Sequence, residues 1–195
     1  MQIASGFDVE NWKELDLSLD SDENWNKGID VFKRRITERY IEPVDILLEI
    51  EAPLAYTDRR FGFSIVAIDC LLIETLQAFI DGRKQTKAGT GSAVFIAYMT
   101  ENKNLGKFFN KELAKRFYRE YRNGLLHQAE TQKGSLIWSE FEVVSVLEGK
   151  MIINRTELHK LIKLDFEDYL VNLANLSNRE LRLNFIHKMK YICHG

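Results

Sequence analysis

The sequence predicts a mainly α-helical protein with one small β segment. Pro43 and Pro53 are the only prolines in 195 residues, so strong helix breakers are rare. Apolar residues recur every three or four positions over long stretches, which is typical of amphipathic helices. The chain is 45% apolar and 29% charged, as in ordinary globular proteins. We therefore expect a helical bundle that forms a single domain over residues 1–195.

Capping residues and prolines set the first elements. Residues 1–20 are acidic and weakly patterned, and we expect an N-terminal arm in which Trp12 and Leu15 dock onto the body. Pro43 should start a second short helix, which Pro53 should end. The first helix lies between the arm and Pro43 and should begin at one of three capping candidates: Ser21, Asp22 or Asn24.

The stretch 61–80 is mostly apolar and about long enough to cross a membrane, and it lies within a helix expected over about 57–80. It carries Asp69 and Glu74, however, and a central acid costs about 3 kcal/mol in a bilayer. We therefore expect the core helix of a cytoplasmic protein that does not enter a membrane. The amino end lacks the charged and apolar regions of a secretion signal. Further helices are expected at 93–99 and 108–122.

The pattern changes after Gly134. β-Branched and aromatic residues predict a small antiparallel β-hairpin, or a three-stranded ribbon, within about 135–153. Asn154 or Thr156 should cap the next helix, and a last helix should cover about 177–191. The hairpin and these two helices form a C-terminal extension over about 135–195.

One pair of residues, Arg122 and His127, carries the functional prediction. An arginine and a histidine five residues apart are not specific, because Arg182 and His187 share the spacing within a smoothly periodic helix. The first pair differs because Asn123-Gly124 predicts the end of a helix, which would let Arg122 and His127 turn towards each other. The alternative is an ordinary helix end, where Arg122 meets the helix dipole and His127 caps a neighbour.

Residues 117–129 resemble the signature helix of the HEPN superfamily, whose motif is arginine, a polar residue, three further residues and histidine. The resemblance covers about 57–129 and implies a HEPN-like helical bundle that dimerises with two motifs side by side. Many such domains are metal-independent endoribonucleases of toxin–antitoxin or antiviral systems. On this resemblance the catalytic residues would be Arg122, Asn123 and His127, and the substrate would be RNA.

Three further residues are predicted to support the site. Asp69 and Glu74 need partners inside an apolar helix, and Arg122 or Arg119 can supply the charge. The alternative is an exposed stripe of that helix. Arg119 lies one turn before Arg122 and can extend the anion site. The net charge of −2 leaves only a local basic patch for RNA, comprising Lys107, Lys111, Lys115, Arg116, Arg119 and Arg122.

Two other functions remain open. The domain can be a non-catalytic HEPN-like module that binds RNA, a nucleotide or a protein partner, or the toxin partner of a cognate antitoxin protein. We expect no cofactor and no metal, because His159 and His187 lack acid or cysteine partners at metal-ligand spacing.

Overall fold

Helices dominate the structure, so the predicted mainly α-helical class with a β-hairpin is confirmed. The computed structural model describes residues 1–85 and 89–194. Short 3₁₀ turns at Tyr56–Asp58 and Leu105–Lys107 and π-helical turns at Thr37–Ile41 and Tyr118–Arg122 connect several helices. The α-helices are α1 (Val9–Lys13), α2 (Trp25–Ile36), α3 (Glu42–Glu51), α4 (Gly62–Ile80), α5 (Gly91–Glu101), α6 (Lys111–Phe117), α7 (Asn123–Gln128), α8 (Arg155–Ala174) and α9 (Arg179–His194).

Helix α4 is the centre of the bundle and contacts α5, α8 and α9. It is long and apolar enough to cross a membrane, but most of it is buried inside the protein. It begins at Gly62, not at residue 57 as predicted. The reason is a buried carboxylate: Glu51 accepts the backbone N–H groups of Arg60 and Phe61 and so holds the preceding segment out of the helix.

The predicted helix end at Asn123-Gly124 is wrong. Asn123 has right-handed helical angles (φ −71°, ψ −37°), and α6, the second π-turn and α7 form one continuous helix that ends at Ala129 in the left-handed region (φ 54°). The chain then folds back so closely that a Cβ at Gly124 would overlap the backbone oxygen of Glu130. The glycine therefore serves this close approach within a helix, and does not break the helix.

The C-terminal sheet contains β3 (Leu136–Trp138), β4 (Val144–Leu147) and β5 (Lys150–Asn154) in the order β3-β5-β4. Strands β4 and β5 form the predicted antiparallel hairpin, which turns at Glu148 and Gly149 (φ 50° and 77°). Strand β3 pairs parallel to β5, which the sequence did not predict. The Tyr121 hydroxyl lies 2.8 and 2.7 Å from the carbonyl oxygens of Leu136 and Met151, so it joins the sheet to the helix that carries Arg122.

The N-terminal arm is docked as predicted, with Trp12 and Leu15 buried in the same apolar core as α4. It also contains a two-stranded antiparallel sheet, β1 (Gln2–Ala4) and β2 (Phe7–Asp8), which the sequence did not predict. Strands of two and three residues are too short to show an alternating pattern. The C-terminal helices follow the prediction, since the Asn154 side chain caps α8 by accepting the N–H groups of Thr156 and Glu157.

Candidate functional site

The motif residues lie where the second π-turn meets α7. Arg122 is the last residue of the turn, Asn123 is the first of α7, and His127 is one helical turn further on. Because the helix continues, Arg122 and His127 point about 140° apart, as residues five positions apart do in an α-helix. The prediction that a helix end turns them towards each other is therefore wrong. Asn123 and His127 are four residues apart and share one face.

Arg122 is held in place by acidic and aromatic neighbours. Its Nε and Nη2 donate to the two carboxylate oxygens of Glu74, at 2.6 and 3.3 Å, and its Nη1 donates to Asn123 Oδ1 at 3.3 Å. The guanidinium also lies 5.4 Å from the centre of the Tyr118 ring. Burial works against the charge, but the hydrogen bond and charge of Glu74 outweigh it and raise the pKa of Arg122. The structure thus places Glu74 beside Arg122, as predicted.

His127 is exposed, and within the described part of the chain its imidazole makes no hydrogen bond. Two exposed leucines accompany the motif. Leu126 is four residues after Arg122, and Leu71 is three residues before Glu74, so each leucine shares a helix face with one member of the ion pair. Leu71 and Leu126 therefore place apolar side chains beside the Arg122–Glu74 ion pair, whereas the His127 imidazole projects from another face of the same helix.

Asp69 does not reach Arg122, so its predicted role in supporting that arginine is wrong. It is fully buried and lies 2.7 Å (Oδ1) from His159 Nδ1, while Asp45 lies 3.4 Å from His159 Nε2. Burial raises the pKa of Asp69, and its hydrogen bond with His159 opposes that rise. The sequence has no acid at metal-ligand spacing from His159, but the packing of α8 against α3 and α4 places these two aspartates beside it in space.

Arg119 does not extend the anion site of Arg122. It donates to Glu120 at 2.7 Å, and the same buried carboxylate accepts from Arg116 and from the Ser135 hydroxyl. Burial alone would raise the pKa of Glu120, but these hydrogen bonds lower it. The predicted basic patch is consequently reduced, because Arg116, Arg119 and Arg122 are paired with acids. The patch keeps three exposed lysines that form no ion pair within residues 1–85 and 89–194. These are Lys107, Lys111 and Lys115.

A cavity of about 340 Å³ adjoins Glu74 and Leu71. Three cationic side chains line it: Arg35, Arg39 and Lys188. Their hydrogen bonds go to backbone carbonyl groups, and none of the three forms an ion pair with a carboxylate of the described residues, although Glu74 also lines the cavity. Burial and the neighbouring cation lower the pKa of both Arg35 and Lys188. The cavity is a cationic recess next to the Arg122–Glu74 pair, and sequence reasoning missed it because its cations come from two distant helices.

The second arginine–histidine pair has a structural role. Arg182 is completely buried, and it donates to the carbonyl groups of Leu173 and Ala174, at 3.0 and 2.8 Å, and to Asp22 at 2.5 Å. Its guanidinium stacks 4.3 Å from the Trp25 ring centre. Arg182 therefore caps the C-terminal end of α8 and anchors the segment before α2. This agrees with the prediction that the Arg182–His187 pair is not a functional site.

No protein-family model, curated protein or solved structure matches this chain. The function of this protein is therefore inferred from its residues and their geometry.

Proposed function

We propose that this protein is a metal-independent endoribonuclease that acts as a homodimer in the cytoplasm, in the manner of a HEPN-type toxin or antiviral effector. One observation supports this proposal most: a positively charged Arg122, oriented by Glu74, lies beside Asn123 on the same helix as the exposed His127. The π-turn that ends at Arg122 adds support, since such turns often occur at functional sites.

The chemistry follows from the residue types. A histidine can take up or release a proton near neutral pH, so His127 can remove the proton of a ribose 2′-OH. The 2′ oxygen then attacks the adjacent phosphorus, the bond to the 5′ oxygen breaks, and that oxygen receives a proton. The imidazolium that forms in the first step can supply this proton. Arg122 offsets the charge that builds on the phosphoryl oxygens, and Asn123 orients one of these groups.

The helix geometry supports the proposed homodimer. Within one chain the side chains of Arg122 and His127 point about 140° apart, so a single copy does not bring both to the same phosphate. A second copy related by a two-fold axis can bring the His127 of one chain towards the Arg122 of the other. The exposed Leu71 and Leu126 beside the ion pair provide apolar surface for that contact.

Binding of RNA is supported by local charge, although the net charge of the chain is −2. The exposed lysines 107, 111 and 115 precede the motif on the same chain segment, and the cationic cavity adjoins Glu74. Each phosphate contact contributes to affinity that falls as salt rises. Cleavage should therefore weaken at high ionic strength.

The direct test is RNA cleavage by purified protein in the presence of EDTA. His127→Ala should reduce the rate about 100-fold or more, as expected for loss of a general acid or base. His187→Ala is the matched control, because His187 is also exposed and also lies five residues after an arginine. Equal cleavage by the His127→Ala variant would show that the catalytic assignment is wrong.

A mixing experiment tests whether the site is shared between chains. Arg122→Gln and His127→Ala should each be inactive as homodimers. When they are mixed and re-associated, a site built from Arg122 of one chain and His127 of the other is restored in half of each heterodimer, giving about a quarter of wild-type activity. No recovery, with heterodimers demonstrated by mass spectrometry, would contradict a shared site.

One observation favours a non-catalytic RNA-binding or partner-binding module as the second candidate. Glu74 occupies two of the Arg122 nitrogens that would otherwise hold a phosphate. Under this alternative the wild-type protein binds RNA, or a protein such as an antitoxin, without any turnover. RNA binding that survives His127→Ala, with no cleavage by the wild type, would favour the module.

A further inference from the structure

A second cavity, of about 370 Å³, lies apart from the motif helix. It lies between the 3₁₀ turn before α4, the loop that joins β3 to β4, and the first residue of α8. None of the residues assigned to the proposed ribonuclease site lines it. Its lining comprises Tyr56, Arg59, Ile137, Trp138, Ser139, Glu140, Phe141 and Arg155.

Three aromatic side chains around this cavity are unusually exposed. Tyr56 is 72% exposed, Phe141 68% and Trp138 37%. The Trp138 and Phe141 rings lie 5.4 Å apart between centroids and are tilted by 43°. Large rings normally gain stability by burial, so three exposed rings around one recess indicate a surface that a flat ligand would cover.

The backbone at Phe141 is held in a conformation that disfavours a bulky residue. Its φ is 69°, in the left-handed region. The Asn154 side chain fixes this conformation, because its amide group donates to the Phe141 carbonyl at 2.9 Å. Strain of this kind persists where neighbouring structure imposes it, and it is concentrated at functional sites. Here it presents the Phe141 ring at the cavity.

Two arginines give the cavity a positive side. Arg59 donates to two uncharged oxygens, the Leu54 carbonyl and, at 2.6 Å, the Ser139 hydroxyl. Arg155 is buried and paired with Glu51, yet its Nε has no hydrogen-bond partner among the described residues. Burial lowers the pKa of Arg155, and the charge of Arg59 lowers it further against the effect of Glu51. Among the described residues Arg59 forms no ion pair, and Glu140 is the one carboxylate in the cavity lining, so the Arg59 guanidinium is free to hold an anion.

We propose that this cavity binds a nucleotide unit, with the base stacked on Tyr56, Trp138 and Phe141 and the phosphate held by Arg59. Aromatic rings accept any base face, and an arginine supplies both a charge and a fork of donors for phosphate. The unit can belong to a free nucleotide or to an unpaired residue of RNA. The proposal does not depend on the Arg122–His127 site, so the failure of one leaves the other standing.

Tryptophan fluorescence offers a direct measurement of this binding. Trp138 is the accessible tryptophan, whereas Trp12 and Trp25 are buried, so acrylamide quenching reports mainly on Trp138. AMP and a short single-stranded oligoribonucleotide should each protect Trp138 from quenching in a saturable way. Tighter binding of AMP identifies the free nucleotide as the source, and tighter binding of the oligomer identifies RNA. Adenosine and ribose 5-phosphate, each with one half of the unit, should bind more weakly than AMP.

Matched variants separate binding from folding. Tyr56→Ala and Arg59→Gln should each weaken binding about ten-fold, from the loss of a stacking or phosphate contact. Arg60→Gln is the control, since it removes the same charge at an exposed neighbour that does not line the cavity. Phe141→Gly should also weaken binding, while keeping the fold because glycine tolerates the left-handed backbone.

Three results would overturn the proposal. The first is no protection of Trp138 by AMP or the oligomer at millimolar concentration. The second is binding of ribose 5-phosphate or adenosine as tightly as AMP, which would remove the need for a base and a phosphate together. The third is AMP affinity that is unchanged in Tyr56→Ala, Arg59→Gln and Phe141→Gly.

Discussion

The two arginine–histidine pairs of this chain have the same spacing and opposite environments. Arg122 remains partly exposed, pairs with Glu74 and lies on a helix that displays His127. Arg182 is completely buried, and two of its three hydrogen-bond acceptors are carbonyl groups at the end of α8. Each guanidinium also lies over an aromatic ring. The pairs differ in what surrounds the arginine and not in their local pattern.

The difference shows what a short motif can and cannot specify. Spacing fixes the angle between two side chains on a helix, but the packing of other helices decides whether an arginine supports the fold or faces solvent. Arg122 forms an ion pair with Glu74 of α4, and one side of its guanidinium remains accessible to solvent. Arg182 meets the end of α8 and the segment before α2, which leave no such side. The functional interpretation of Arg122 therefore depends on exposure as much as on sequence.

The largest expected effect is on Arg182. Arg182→Met should lower the free energy of unfolding by about 3 kcal/mol or more, because carbonyl groups at the end of α8 lose their buried donor. Arg122→Met should cost only about 1 kcal/mol, since its ion pair is partly solvated. Urea unfolding followed by circular dichroism measures both. Equal losses would mean that Arg122 is as structural as Arg182, which would weaken the proposed site.

The next effect concerns the residue two positions after each arginine, which is Gly124 in one pair and Asn184 in the other. Gly124→Ala should destabilise the protein by about 1–3 kcal/mol, because its methyl group would overlap the backbone oxygen of Glu130. An ordinary solvent-facing helical glycine would instead gain stability from this change. Thermal unfolding gives the sign, and stabilisation would contradict the close approach of the 129–132 segment.

The smallest effect involves His159, a histidine whose acid partner comes from another helix. Burial raises the pKa of the Asp69 carboxyl group in the folded protein. The contribution of this group to the free energy of unfolding is therefore fully present below its ordinary pKa of 3.8, and it is lost as pH rises through the raised folded-state pKa. Asp69→Asn keeps an acceptor for His159 without the titration. The unfolding free energy of wild type minus that of Asp69→Asn should therefore fall as pH rises from about 4. A difference that is constant with pH would contradict the prediction.

Much of the fold could be predicted because its signals are local. Asn154 caps α8, the apolar stretch before Asp81 forms the core helix, and Glu148-Gly149 turns the hairpin. The errors arise where distant residues decide the structure. Glu51 delays the start of α4, and the return of the chain at Glu130 explains Gly124. The parallel pairing of β3 with β5 likewise depends on contacts outside either strand.

The candidate site was predictable only in part for the same reason. The placement of Glu74 beside Arg122 follows from the need of a half-buried acid for a partner. The pair Asp69–His159 follows from the packing of α4 against α8, so sequence order gives no sign of it. Arg119 and Glu120 are adjacent in the sequence, but the burial of Glu120 beside Ser135 depends on a distant loop. The aromatic cavity joins distant parts of the chain, since Arg59 meets Ser139, 80 positions later.

The π-turn at Tyr118–Arg122 gives the helix one residue more than a regular winding needs. Loss of a single residue in that turn would restore an ordinary α-helix and leave the faces of the later residues nearly unchanged, because the wide turn already absorbs the extra residue. Gly124 would stay where Glu130 approaches it, and His127 would keep its present face. A further inserted residue would instead have no wide turn to absorb it, and it would rotate His127 by about 100°. The motif therefore tolerates the loss of the extra residue in its helix better than the gain of another.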